Sequence, residues 1–435
     1  MQPKLVLASA NGSIREDRNL LMVCDRGGQW MLPSEKDLVP LPEESELFLL
    51  PGRFATGLDP VSGKMVRRNE LAVAAFAAPG YTLSAHPAYL QQDNAPLLPL
   101  FAYGAVGYAR GRFWLCATKV DNDPRQRFEH IKRERIGRES RKLLEKYPRN
   151  RLVAHIINNC VRRYDCPAAR NFALGRYEAP LPSSQSCNAQ CLGCISYQAQ
   201  SSPVKTTPQC RLAFTPSPAE LAEVMSIHEK RERKTPIYSF GQGCEGDPLL
   251  NIDMLCESVT RFRSLQREGF GHGTVNCNTN ASLPDAVAKL APAGFTSIRV
   301  SLSSARPELY NAYYRPRGYS FADVAESIRV ARKSGLFVSV NLLWFPGVSD
   351  TREEVEALGQ LAERCGIEMI QMRNLNIDPR WYLEQPGLDL GEKRPQTLGP
   401  VRFMELLRKR CPWMKFGYFN PWLGDKAELA SPLPA

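Results

Sequence analysis

The stretch Ser186-Cys187-Asn188-Ala189-Gln190-Cys191-Leu192-Gly193-Cys194 places three cysteines in nine residues, spaced C-x3-C-x2-C. Thiolates are the natural ligands of iron–sulfur clusters, and a four-iron cluster takes four of them. Three thiolates from one short loop leave one iron without a protein ligand. Catalytic metal sites keep such a position open, and structural sites close it. A second reading is open at this point: a zinc site completed by a fourth cysteine such as Cys166 or Cys210.

Around this loop, from about 178, short apolar runs alternate with helical patterns, the rhythm of a parallel sheet covered by helices. Ile237–Phe240, Thr274–Asn278, Ser297–Leu302, Phe337–Leu343 and Met369–Leu375 are the expected strands. Helices are expected at about 217–233, 252–267, 284–291, 321–334 and 351–365. The first of these opens on Ser217-Pro218-Ala219-Glu220, a capping box with proline at the first helical position. Strand alternation puts Asn276, Asn278 and Asn280 on one face, with Arg299, Ser301 and Ser303, then Ser339 and Asn341, then Gln371 and Arg373. The opposite faces are apolar. A packed barrel interior is normally aliphatic, so this row implies a wet cavity for a polar ligand.

After Ile237–Phe240 comes Gly241-Gln242-Gly243-Cys244-Glu245-Gly246-Asp247-Pro248-Leu249-Leu250. It contains G-x-G-x-x-G, but no helix starts on the glycines, so a dinucleotide fold does not follow.

The cysteine spacing and its place after a first strand resemble the radical S-adenosylmethionine (radical SAM) superfamily. That resemblance implies a [4Fe–4S] cluster on Cys187, Cys191 and Cys194, whose open iron binds S-adenosylmethionine. It also implies reductive cleavage to a 5′-deoxyadenosyl radical that abstracts hydrogen. Gly193 stands where the family often has an aromatic residue. Gly246-Asp247-Pro248 resembles the family's Gly-Glu-Pro loop, with the shorter Asp247 in the carboxylate position. Asn280, Ser301 and Ser303 resemble positions near the SAM carboxylate and ribose, and Phe345-Pro346-Gly347 resembles a motif beside the adenine. Asn278, Arg299, Asn341 and Arg373 are the candidate substrate contacts.

The expected fold is α/β, a partial (β/α)6 TIM-like barrel at 178–375. A β-rich unit at 1–125 and a basic helical bridge at 126–177 precede it, and a tail at 376–435 carries one helix near 399–410 and a Pro-rich end. In the bridge, Ile136, Leu143, Leu144 and Tyr147 form one apolar stripe. Leu152, Val153, Ile156, Ile157, Cys160 and Val161 form another.

The 435 residues carry a net charge of +11. Arg125 to Arg151 hold eleven Lys or Arg against four Glu, which reads as a solvated helical face or as a footprint for RNA or another polyanion. Thirteen cysteines, an odd number, without a secretory signal point to a reducing cytoplasm. No run is long and apolar enough for a membrane span.

Cys244 and Cys277 fall on or beside the expected cavity, as small hydrophobes or as reactive thiols. The Gly-Asp-Pro-Leu-Leu-Asn run resembles radical RNA methylases, for whose methyl-carrying cysteine Cys411 is the late candidate. The family resemblance implies a low-potential electron donor of the flavodoxin or ferredoxin type. The substrate stays open between small molecule, peptide and RNA. So do two further classes: an iron–sulfur or zinc protein that binds nucleic acid without chemistry, and an activase that passes its radical to a partner protein.

Overall fold

The computed structural model describes residues 1–265, 273–388 and 396–424. The expected helix end at 266–267 and the Pro-rich end from 425 lie outside them. The five expected strands, preceded by Glu178–Leu181, form one parallel sheet in sequence order: Glu178–Leu181, Ile237–Phe240, Thr274–Thr279, Ser297–Leu302, Phe337–Trp344 and Met369–Asn374. Every neighbouring pair is parallel, with Ser239 beside Asn276 and Arg299 beside Ser339. Pro180 interrupts the first strand harmlessly. That strand has a partner on one side only, so the missing N–H breaks no ladder.

The outward faces follow the alternation. Val275, Ile298, Val300, Val338, Val340, Ile370 and Met372 are fully buried and join one core with the covering helices. Each such side chain stabilises the fold by about 1.5–3 kcal/mol. The helices Ile252–Ser264, Phe321–Lys333 and Arg352–Cys365 supply the other half of that core. The capping box at Ser217 forms as expected: its hydroxyl accepts from Glu220 N–H at 3.2 Å and Glu220 accepts from Ser217 N–H at 2.8 Å.

Two features depart from the expectation. A helix over Pro307–Tyr314, not among the expected ones, buries Leu309, Tyr310, Tyr313 and Tyr314 and is held by packed tyrosines. The C-terminal segment is more than a tail, because Lys415–Gly417 adds a seventh parallel strand beside Met369–Asn374. The chain then turns Asn420 into the barrel, where its amide meets Glu178 and Ser239 of the first two strands, each at 3.1 Å.

Between Lys4–Ala8 and Arg112–Lys119 the chain forms antiparallel sheets. Its long hairpin, Glu46–Leu58 with Met65–Phe76, closes on Asp59, whose carboxylate accepts from Val61 N–H at 3.0 Å and the Ser62 hydroxyl at 2.7 Å. This sheet docks on the fifth and sixth barrel strands. Trp344 donates its indole N–H to Leu83 O at 2.7 Å, and Asn374 exchanges hydrogen bonds with Leu83 and Tyr81. A buried ion pair, Arg53 with Asp378 at 2.7 Å, ties the hairpin to the chain after the sixth strand.

Between these units the two expected stripes are buried or half-buried. The second stripe runs from Arg151–His155 into a wide π-turn over Ile156–Val161. On the basic stretch, Arg133–Lys146 is a helix whose Lys and Arg side chains are exposed. Glu139 pairs with Lys142, Glu220 pairs with Arg151, and Arg125 turns inward to Asp123. No helix among the described residues is long and apolar enough to cross a membrane.

Candidate active site

The cysteine loop emerges at the C-terminal end of the first strand and is gripped from two sides. The turn after the second strand holds its front: Gly246 N–H donates to Ser184 O and Asp247 N–H to Ser186 O, each at 2.8 Å. A Cβ on Gly246 would lie 1.9 Å from Ser186 O, so only glycine permits this approach. The end of helix Pro307–Tyr314 holds its back, where Gln190 N–H donates to Tyr314 O at 2.9 Å and Leu192 N–H to Tyr313 O at 3.0 Å. The thiols of Cys187, Cys191 and Cys194 are half-buried. A cavity of about 280 Å³ opens beside Cys191, against Tyr197, Arg315 and Trp381. At Gly193 a Cβ would meet the Tyr313 hydroxyl at 3.0 Å, which is why no aromatic residue stands there.

Two carboxylates organise the site. Glu245, which the motif reading passed over, is 5% exposed. It accepts from Ser183 N–H at 2.6 Å, Ser184 N–H at 2.8 Å, Gly241 N–H at 2.9 Å and Gln242 N–H at 3.1 Å. It thereby clamps the ends of the first two strands together. Burial pushes its carboxyl up to about 7 against the pull of these donors.

Asp247 is put to a different use from the one its motif suggests. Its oxygens accept from Thr279 Oγ1 at 2.7 Å, Asn280 N–H at 2.7 Å and Leu249 N–H at 3.0 Å. The carboxylate is spent inside the protein and holds the turn after the third strand. That turn needs holding, because Ala281 has φ +55°, a left-handed conformation that L-residues avoid.

Asn280 in turn gives its amide N–H to Asn188 Oδ1 of the cysteine loop at 2.8 Å. The chain Asp247, Asn280, Asn188 therefore sets the loop's position. Donors also reach the third thiol: Ser196 Oγ lies 3.5 Å and Arg211 Nη2 3.8 Å from Cys194 Sγ. Hydrogen bonds and charge at cluster sulfurs raise the reduction potential. Arg211→Ala is expected to lower the potential of a reconstituted cluster by roughly 60 mV, a tenfold change for a one-electron couple. Protein-film voltammetry would show no shift if Arg211 served only the loop's fold.

The family model described as "Radical SAM superfamily" matches residues 181–361, under half of the chain. The chain carries a radical SAM domain. Among solved structures with a similar fold are native anSMEcpe with bound AdoMet, at 15% identity, 46% of this chain, 52% of that one and TM-score 0.36. HydG, a maturase of the [FeFe]-hydrogenase, is similar at 16% identity, 68% and 67% coverage and TM-score 0.39. A radical SAM methyltransferase from Sphaerobacter thermophilus is similar at 17% identity, 55% and 64% coverage and TM-score 0.38. The chain thus spans about half the length of the first of these. No curated protein matches it.

Inside the radical SAM domain the polar row faces inward as expected, but much of it is already satisfied. Asn276 donates to Asn278 Oδ1 at 2.7 Å, Asn278 to Phe240 O at 2.6 Å, and Ser297 to Asn276 at 2.8 Å. Asn420 and Gln371 close the lower part at 3.2 Å. Asn278, expected to meet substrate, here gives its amide to the barrel's own backbone. These bonds correct the picture of a cavity lined by all four strands.

What remains unsatisfied lies around Arg299 and above it. Arg299 Nε, Asn341 Oδ1 and Ser303 Oγ are buried without hydrogen-bond partners. Ser301 is half-buried beside Asn341. Cys277 faces the helices at 0% exposure, away from this space, and Cys411 is buried behind the barrel against Gly359 O. Cys244 is half-buried in the turn that holds Gly246.

Proposed function

We propose that the chain is a radical SAM enzyme built on a partial (β/α)6 barrel with its site at the C-terminal ends of the strands. The single observation that carries this is the cysteine loop: three half-buried thiols in one short segment, pinned through backbone to both neighbouring elements. Three thiolates on one loop are one ligand short of a four-cysteine zinc site, whereas a four-iron cluster takes three and keeps one iron open. The donor set therefore fits a [4Fe–4S] cluster.

When bound, that cluster supplies the electron that splits S-adenosylmethionine into methionine and a 5′-deoxyadenosyl radical, which takes hydrogen from the substrate. The chain's own residues do the positioning. Gly246 lets the backbone reach the cysteine loop, Asp247 and Asn280 fix that loop through Asn188, and Ser301 and Ser303 face the space above Arg299. The Phe345 ring, at the end of the fifth strand, is wedged between His86 at 4.6 Å and Tyr382 at 4.5 Å between centroids. A sheet from the first 125 residues thereby supports one wall of the mouth. A low-potential donor of the flavodoxin or ferredoxin type and a cytoplasmic location belong to the same reading.

The test is anaerobic reconstitution with iron and sulfide. Protein given SAM and dithionite should release 5′-deoxyadenosine and methionine in equal amounts. Protein that holds its cluster and leaves SAM intact would instead point to the binding-module alternative.

A further inference from the structure

The barrel interior sets two guanidiniums, Arg299 and Arg373, against one carboxylate, Glu178, that acts on Arg299 through space. Arg299, on the fourth strand, is 6% exposed. Among the described residues its guanidinium has one hydrogen-bond partner, the side-chain oxygen of Gln371 at 3.1 Å. Its Nε is buried without any. Arg373, on the same inward row of the sixth strand, packs on the ring of Tyr418 at 4.8 Å. Neither guanidinium forms an ion pair with a carboxylate of the described residues. The interior carboxylate, Glu178, is already engaged by Ser239, Gln242 and Asn420.

A desolvated guanidinium is strongly unfavourable unless an anion accompanies it. Burial, and then the like charge of Arg373, push Arg299 down to about 9. On the strand between the two arginines, Asn341 Oδ1 is a buried acceptor with no donor. A guanidinium fork matches the two oxygens of a carboxylate or phosphate, and an orphaned amide oxygen beside it asks for an N–H or O–H. Arg299 lies four positions before Ser303, roughly 13 Å of strand below the mouth, whereas the register puts Arg373 beside Leu343, level with Ser303 at the strand ends.

We propose that Arg299 and Arg373 bind the oxyanion group, carboxylate or phosphate, of a small polar substrate, with Asn341 accepting a hydrogen bond from the same molecule. This names the substrate class of the radical SAM reading and rests on that reading for the chemistry, though not for the binding.

The test uses the full-length chain, reconstituted without oxygen, and its Arg299→Gln variant. Each is titrated with succinate and separately with inorganic phosphate, at ionic strength held constant with NaCl, while the thermal midpoint is followed. One of the two anions should raise the wild-type midpoint; succinate assigns a carboxylate and phosphate a phosphoryl group. Arg299→Gln should weaken that anion at least about tenfold, the cost of losing a charge-assisted pair. Arg373→Gln should weaken the same anion.

Without anion, Arg299→Gln should unfold at or above the wild-type midpoint, because it removes one of two buried like charges held against a single carboxylate. An arginine with a merely structural role would give a lower midpoint, and that result overturns the proposal. So does an anion response identical in wild type and variant. SAM binding, read from the EPR signal of the reduced cluster, should survive Arg299→Gln. Its loss would assign the guanidinium to the carboxylate of SAM and end the proposal. An anion response without any SAM cleavage sinks the enzyme reading alone, and SAM cleavage without an anion response sinks this one alone.

Discussion

Cys191→Ala is expected to reduce 5′-deoxyadenosine release to the level of iron-free protein. Cys191 is the middle of the loop's three proposed ligands and is held through its neighbours by Tyr313 and Tyr314. Two remaining thiolates cannot retain a four-iron cube. The informative control is Cys210→Ala. Cys210 is exposed, and its backbone N–H donates to the Tyr164 hydroxyl at 3.2 Å. If the metal were a zinc ion closed by Cys210, both substitutions would release it. In the radical SAM account Cys210→Ala keeps iron content and activity. Iron analysis and product chromatography on the two variants separate the cases.

The second large effect is on stability. Arg53 and Asp378 are 1% and 2% exposed and meet at 2.7 Å. Asp378 also accepts from Leu98 N–H at 3.0 Å and Arg380 N–H at 3.1 Å, so it joins a loop of the N-terminal unit to the helix after the sixth strand. Removing one member of a buried pair strands the other charge, which costs about 3–5 kcal/mol. Arg53→Met is therefore expected to lower the unfolding free energy, read from denaturant melts, by that amount. Arg53→Met with Asp378→Asn should recover part of the loss, because the stranded charge is gone. Equal destabilisation in the single and double variants would mean that packing of the long Arg53 side chain, not its charge, holds the two units together.

What the sequence disclosed was local. The cysteine spacing, the capping box at Ser217 and the alternation in Ser297–Leu302 each fit within a dozen residues, and each sits in the structure where its pattern puts it. The inward row from Asn276 to Arg373 was legible for the same reason, since the strand period fixes which residues share a face.

What the sequence hid was long-range. Glu245 clamps Ser183 and Ser184, about sixty residues away, and nothing in its own neighbourhood marks it. Arg53 and Asp378 are separated by 325 positions. The strand Lys415–Gly417 is three residues long, too short to show a period. The helix Pro307–Tyr314 is rich in tyrosine, a residue of middling helix propensity, and forms because its rings stack on one another and on the cysteine loop. Asp247 and Asn278 were read as ligand contacts because their residue types fit. Only the packed turn shows that their polar atoms are already taken.

The most direct test of the account is Mössbauer spectroscopy of protein reconstituted with enriched iron, recorded before and after SAM is added. Three protein thiolates on a four-iron cube leave one iron distinct, and its signal should change on binding while the other three stay as they were. A metal centre whose spectrum is indifferent to SAM, with every coordination position filled by the polypeptide, would contradict it.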